Sequence, residues 1–170
     1  MEISLLKWLW LPDHQRAFEN IKEALTSEAV VKPFIPGENT TLMSDASRHA
    51  FGFALTQTSK EAPERLRLIE CGSISTSKVQ ANYSVTEIEL AALLWAVQKS
   101  SYYLLACPQF TALVDHRPLE KICNEKKLQD LPNARIQRMV EKLSDYNMVV
   151  KWCSGVTHRI ADAISRSPCF

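Results

Sequence analysis

Residues 41–57, TLMSDASRHAFGFALTQ, place two short apolar runs on either side of a polar break at 47–49. That pattern predicts a β-hairpin with strands over about 40–46 and 50–57. Asp45 stands at the end of the first strand, on the rim of the core that the hairpin would build. A charge taken out of water needs a compensating partner. What Asp45 holds is therefore the question from which the rest of the chain is read.

A third strand is expected over 66–74, joined by the polar stretch SKEAPE. Upstream, PDHQRAFENIKEALTS (12–27) carries Ala17, Phe18, Ile21, Ala24 and Leu25 on one stripe, with Pro12 suited to a first turn. It predicts an amphipathic helix. The connector VVKPFIPGEN (30–39) is punctuated by Pro33, Pro36 and Gly37.

Downstream, YSVTEIELAALLWAVQKSSYYLLAC (83–107) predicts the longest helix, with Ser84 as N-cap and Glu87 at capping-box spacing. From Leu90 to Val97 it is apolar on every side, so it is expected deep in the fold. FTALVD (110–115) has the near-continuous apolar run of a buried parallel strand. RPLEKIC and NARIQRMVEKLSDY (133–146) predict helices, MVVKW (148–152) another strand, and THRIADAISRS a last helix. The order βββαβαβα predicts an α/β sandwich around a mixed sheet.

Composition bounds the function. The chain of 170 residues is 46% hydrophobic and 23% charged, as an ordinary globular domain is. Its net charge of +1 hides an asymmetry: residues 1–116 carry ten Lys/Arg against thirteen Asp/Glu, and 117–170 carry ten against six. A polyanion is therefore expected to approach the second half, if that charge is more than a solvated surface. The five cysteines (71, 107, 123, 153, 169) show no CxxC pairing, which speaks for reduced thiols and against zinc or a disulfide framework. MEISLLKWLWLPDH is too short and too charged to span a membrane and lacks a signal-peptide cleavage site. An intracellular setting, cytoplasmic or in a virus-like particle and not secreted, is expected.

Asp45 has company. Glu89 lies where the apolar stretch of the long helix begins, Asp115 closes FTALVD, and Asp162 sits in the first turn of the last helix. In an open α/β sheet, strand C-termini and helix N-termini share one edge. Each pair of carboxylates about 4 Å apart would cost roughly 4 kcal/mol at an effective dielectric of about 20. Divalent magnesium or manganese would turn that repulsion into a ligand set. Any one of these acids also reads as a helix cap or a surface charge, and pattern alone leaves both accounts open.

The stretches SDAS, YSVTEIELAALLWAV, LVDHRPLEKI and IADAISR resemble, in this order, the RNase H domain of LTR retrotransposon Pol polyproteins, most closely gypsy-type elements. Members typically read T-D-A-S, Y-x-x-x-E-x-E-x-L-A, T-D-H-x-P-L and A-D-A-L-S-R. WLPDHQRAFENIKEALTSEAVV resembles the thumb or connection segment of reverse transcriptase that precedes it. The resemblance implies an RNase H-like fold: a five-stranded mixed sheet, three antiparallel strands then two parallel, flanked by helices. It places an N-terminal helical segment at 1–38 and the RNase H-like domain at 39–167. Ser44, Val114 and Ile164 replace the usual Thr, Thr and Leu, and all four acids are kept.

The resemblance further implies a metal-dependent endonuclease that cuts the RNA strand of RNA–DNA hybrids. Two Mg2+ or Mn2+ ions would be held by Asp45, Glu89, Asp115 and Asp162. Of the two helix glutamates, ELAA matches the family pattern and selects Glu89, while Glu87 is left to the capping box. His158 is a candidate proton shuttle, and His116 is expected to pack beside the site. Candidate hybrid contacts are Arg117, Lys126, Lys127, Arg135, Arg138, Arg159 and Arg166. NEKKLQDLPNA is too short for the basic helix-loop of cellular RNases H, so the polymerase domain, in cis or in trans, is expected to supply much of the grip. No membrane partner is expected. The alternative is an inactive retroelement-derived scaffold or nucleic-acid-binding module. The position of Glu89 speaks against an integrase, and the absence of Y-x-D-D against a polymerase.

Overall fold

The computed structural model describes residues 11–26, 33–63 and 65–153, and for 21–26 the backbone alone. Helix α1 (Pro12–Thr26) comes first among the described residues, with Pro12 in its first turn, as the pattern predicts. The sheet follows: β1 (Asn39–Ala46), β2 (Ala50–Thr58), β3 (Leu66–Ser75), β4 (Phe110–Val114) and β5 (Met148–Trp152). Between β3 and β4 run α2 (Val85–Lys99) and α3 (Ser101–Leu104); between β4 and β5 run α4 (Pro118–Asn124) and α5 (Ala134–Leu143).

The strands stand in the order β3-β2-β1-β4-β5. β1 pairs antiparallel with β2, and β2 with β3; β1–β4 and β4–β5 are parallel. This is the expected mixed sheet. The β1–β2 turn is closed by Ser47, whose hydroxyl accepts from the amides of Ala50 (2.9 Å) and His49 (3.2 Å). On β3, Gly72 lies opposite Phe53, and a Cβ there would stand 2.7 Å from the Phe53 ring. The glycine lets that ring lie across the strand and meet Trp95 edge-on at 5.2 Å.

Helix α2 packs across β1, β2 and β4, with α5 against it. Leu90, Leu93, Ala96 and Val97 are fully buried among Leu42, Phe53, Leu55, Val114 and Val150, and Ala92 is fully buried with Phe51 and Ile88. Its start is the expected capping box: the Ser84 hydroxyl takes the Glu87 amide, and the Glu87 carboxylate takes the Ser84 amide at 3.0 Å. The single helix read over 83–107 is broken at Ser100. That buried serine turns off the helical path and donates its hydroxyl to Glu70 Oε2 at 3.1 Å, and α3 restarts beyond it. The helix read over 133–146 ends at Leu143. Asn124, closing α4, bonds both the carbonyl and the amide of Val150 at 2.7 and 3.0 Å, pinning α4 to β5. The segment 125–133 contains a short 3-10 turn, Leu128–Asp130. Among the described residues no helix is long and apolar enough to cross a membrane.

Candidate active site

The parallel pairing of β1 with β4 ends at Ser44 opposite Val114. Asp45 and Asp115 are the next residues on each strand. Adjacent strands run about 4.8 Å apart, so the two carboxylates leave the sheet as neighbours. Asp45 is buried and lies opposite Gly52, while Asp115 is exposed. Glu89 approaches from α2. It sits three, four and seven residues before Ala92, Leu93 and Ala96, all fully buried, so it belongs to the face that packs on the sheet.

The electrostatics couple Glu89 to Asp45 and Asp115. Burial, followed by the charges of Asp45 and Asp115, pushes the Glu89 carboxyl up to about 8, against an opposing hydrogen bond from the Ala46 amide. Two residues away, Glu87 turns elsewhere. It is buried in the capping box and accepts from Arg135 Nη1 at 2.8 Å and Asn133 Nδ2 at 3.3 Å. The hydrogen bonds from Ser84, with help from Arg135, hold its carboxyl below the usual range although burial opposes them.

Further side chains gather at the same edge. His116 Nε2 lies 2.9 Å from Thr86 Oγ1, and burial lowers its pKa against the pull of Asp115. The Trp152 indole N–H donates to the Asp115 carbonyl at 3.2 Å, and the Arg117 guanidinium lies 5.6 Å from the Trp152 ring centre. The Cys153 thiol is pushed up by burial and then by the charge of Asp115. Reading MVVKW only as a strand missed Trp152 and Cys153. The available signal was that a strand parallel to FTALVD must finish at the same edge.

The remaining predicted residues are spread out. Arg117 and Lys126 line a cleft of about 400 Å3 together with Lys121, beside the start of α4. Lys127 leads into the following 3-10 turn, and Arg135 and Arg138 lie on α5. Asp162, His158, Arg159 and Arg166 lie outside the described residues. Among the described residues Cys107 and Cys123 are free thiols.

Oxygen-only donors with a raised, charge-coupled carboxyl among them suit a hard divalent cation. Among the described residues no group of three His, Cys, Asp or Glu side chains forms a ready metal cluster. The three carboxyls share a field without yet forming a ligand cage.

A mixed sheet of this order, covered by helices and carrying acids at its β1/β4 edge, defines an RNase H-like fold. Residues 10–112 match the family described as the RNase H-like domain found in reverse transcriptase, and the chain belongs to that family. It is 34% identical over 163 residues, 95% of its length, to the Transposon Tf2-3 polyprotein of Schizosaccharomyces pombe. It spans 12% of the length of that polyprotein. Among solved structures it is similar to the foamy viral protease–reverse transcriptase dRH in complex with ds DNA. That match has a TM-score of 0.61 and 16% identity, over 86% of this chain and 27% of the other. It is also similar to RNase H1 from Halobacterium salinarum, with a TM-score of 0.55 and 15% identity over 75% of this chain and 97% of the other.

Proposed function

We propose that this domain is a metal-dependent endoribonuclease that hydrolyses the RNA strand of RNA–DNA hybrids during reverse transcription. The observation that carries the reading is the convergence of Asp45, Glu89 and Asp115 on one sheet edge, in a domain of the reverse-transcriptase RNase H-like family.

Asp45, Glu89 and Asp115, with Asp162, would hold two Mg2+ or Mn2+ ions. Such ions, when bound, activate water and stabilise the leaving oxygen of an in-line displacement. Water then attacks phosphorus, the P–O3′ bond breaks, and the products are a 3′-hydroxyl and a 5′-phosphate. No serine or cysteine nucleophile is needed. Burial and the charges of Asp45 and Asp115 push the Glu89 carboxyl up to about 8, and it would have to be deprotonated to hold a metal ion. The Trp152 hydrogen bond fixes the backbone that carries Asp115. Arg117, Lys126 and Lys127 supply phosphate contacts, and RNA is distinguished by its 2′-hydroxyls and minor groove. His158 is the candidate for moving the product's proton. The polymerase part of the polyprotein would add affinity for the hybrid.

The test is cleavage of a labelled hybrid in Mg2+ or Mn2+. Wild type should cut the RNA strand and Asp45→Asn should not. Hybrid binding without cleavage in either metal would instead make the domain a nucleic-acid-binding module.

A further inference from the structure

Helices α2 and α5 enclose a groove of about 510 Å3 that the proposed reaction does not use. One wall is a stripe of α2, Ala91, Leu94 and Trp95, three and four residues apart and only partly buried. These belong to the part of α2 that is apolar on every side, so after the sheet has covered one face an apolar strip is left over. The other wall comes from α5, where Met139 continues the apolar floor and Arg138 and Lys142 stand one turn apart on the exposed rim. Among the described residues neither of these cations meets a carboxylate. Arg138 spends its Nε–H on the Ala134 carbonyl of its own helix.

We infer that this groove docks an amphipathic helix of another polypeptide segment, with apolar anchors at i, i+3, i+4 and i+7 and two acidic side chains one turn apart on its flank. Charge complementarity selects the acidic flank, since Arg138 and Lys142 stand on the rim and no acid is among the residues that line the groove; the neighbouring Glu141 is exposed outside it. The apolar floor selects a helix face over a phosphate backbone, which would leave Leu94, Trp95 and Met139 facing charge. The Glu87 carboxylate at the head of the groove already occupies Arg135, whose guanidinium also lies 4.3 Å from the Tyr83 ring centre. On this inference the wall that carries Arg135 and Arg138 faces protein.

The probe is a designed helical peptide of about 18 residues with Leu at the anchor positions and a Glu pair on the flank, titrated into 15N-labelled protein. A matched peptide carries Lys in place of Glu. The Glu peptide should shift the amide signals of Ala91, Leu94 and Met139. The double variant Arg138→Glu/Lys142→Glu should weaken it roughly tenfold or more and bind the Lys peptide instead. That exchange also shows that the variant is folded. Two results would overturn the inference: equal Glu-peptide affinity in wild type and variant, or the same amide shifts produced by a metal-free RNA–DNA hybrid and not by the peptide. Neither readout depends on cleavage, so failure here leaves the nuclease reading standing, and the reverse also holds.

Discussion

Glu87 and Glu89 leave α2 two residues apart, and their carboxyl groups are perturbed in opposite directions. Glu87 is surrounded by donors: the Ser84 amide and hydroxyl, Asn133 and Arg135. Glu89 meets two other carboxylates. The same side chain on the same helix is a fastening in one place and a stored repulsion in the other. A buried acid surrounded by donors is accounted for by stability alone. One that faces like charges lowers stability until something else arrives, and that marks it as a candidate for function.

The largest test of this contrast is catalytic. Glu89→Gln should reduce hybrid cleavage by roughly a thousandfold, while Glu87→Gln should leave the cleavage rate of folded enzyme within a few fold. Equal losses in the two variants would erase the distinction.

Metal linkage comes next. Mg2+ or Mn2+ at a hundredfold its Kd should stabilise the wild-type fold by about 2.7 kcal/mol. Asp115→Asn should lose that response and melt higher than wild type when metal is absent. A melting curve indifferent to millimolar metal would count against the site.

Smaller again is the fastening. Glu87→Ala removes half of the capping box and the Arg135 pair, and should cost about 1–2 kcal/mol in chemical denaturation, with no change in the response to metal.

The last test is one of sign in pH. The Glu89 carboxyl is raised from 4.5 to about 8, so its contribution is fully present below pH 4.5 and is lost as pH rises through about 8. The Glu87 carboxyl is lowered from 4.5, so its contribution is present above that value and lost as pH falls through the folded one. In metal-free protein, subtracting the Glu89→Gln stability curve from wild type should give a difference that declines from pH 5 to 8. The Glu87→Gln difference should instead decline toward acid. A flat Glu89 difference would mean that the three carboxyls do not share a field.

Much of this was legible in the chain. The hairpin, the order of strands and helices, the capping box at Ser84 and the assignment of Glu87 to it follow from period, punctuation and spacing, which are local properties. The break at Ser100 was not, because the partner of its buried hydroxyl is Glu70, thirty residues away. The arrival of Trp152 and Cys153 beside Asp115 depends in the same way on a parallel pairing between distant strands. Arg135, a candidate hybrid contact in the sequence, bonds a glutamate 48 residues away.

The amino-acid sequence by itself determined the type and order of the main strands and helices, and that Asp45, Glu89 and Asp115 each end a strand or begin a buried helix stretch. Backbone preference and burial pattern act over a few residues, and a single chain displays them. Only the tertiary structure decided which acids repel and which are satisfied. Charge interactions fall off with distance in space, and the distances between these groups are set by strand order and helix packing.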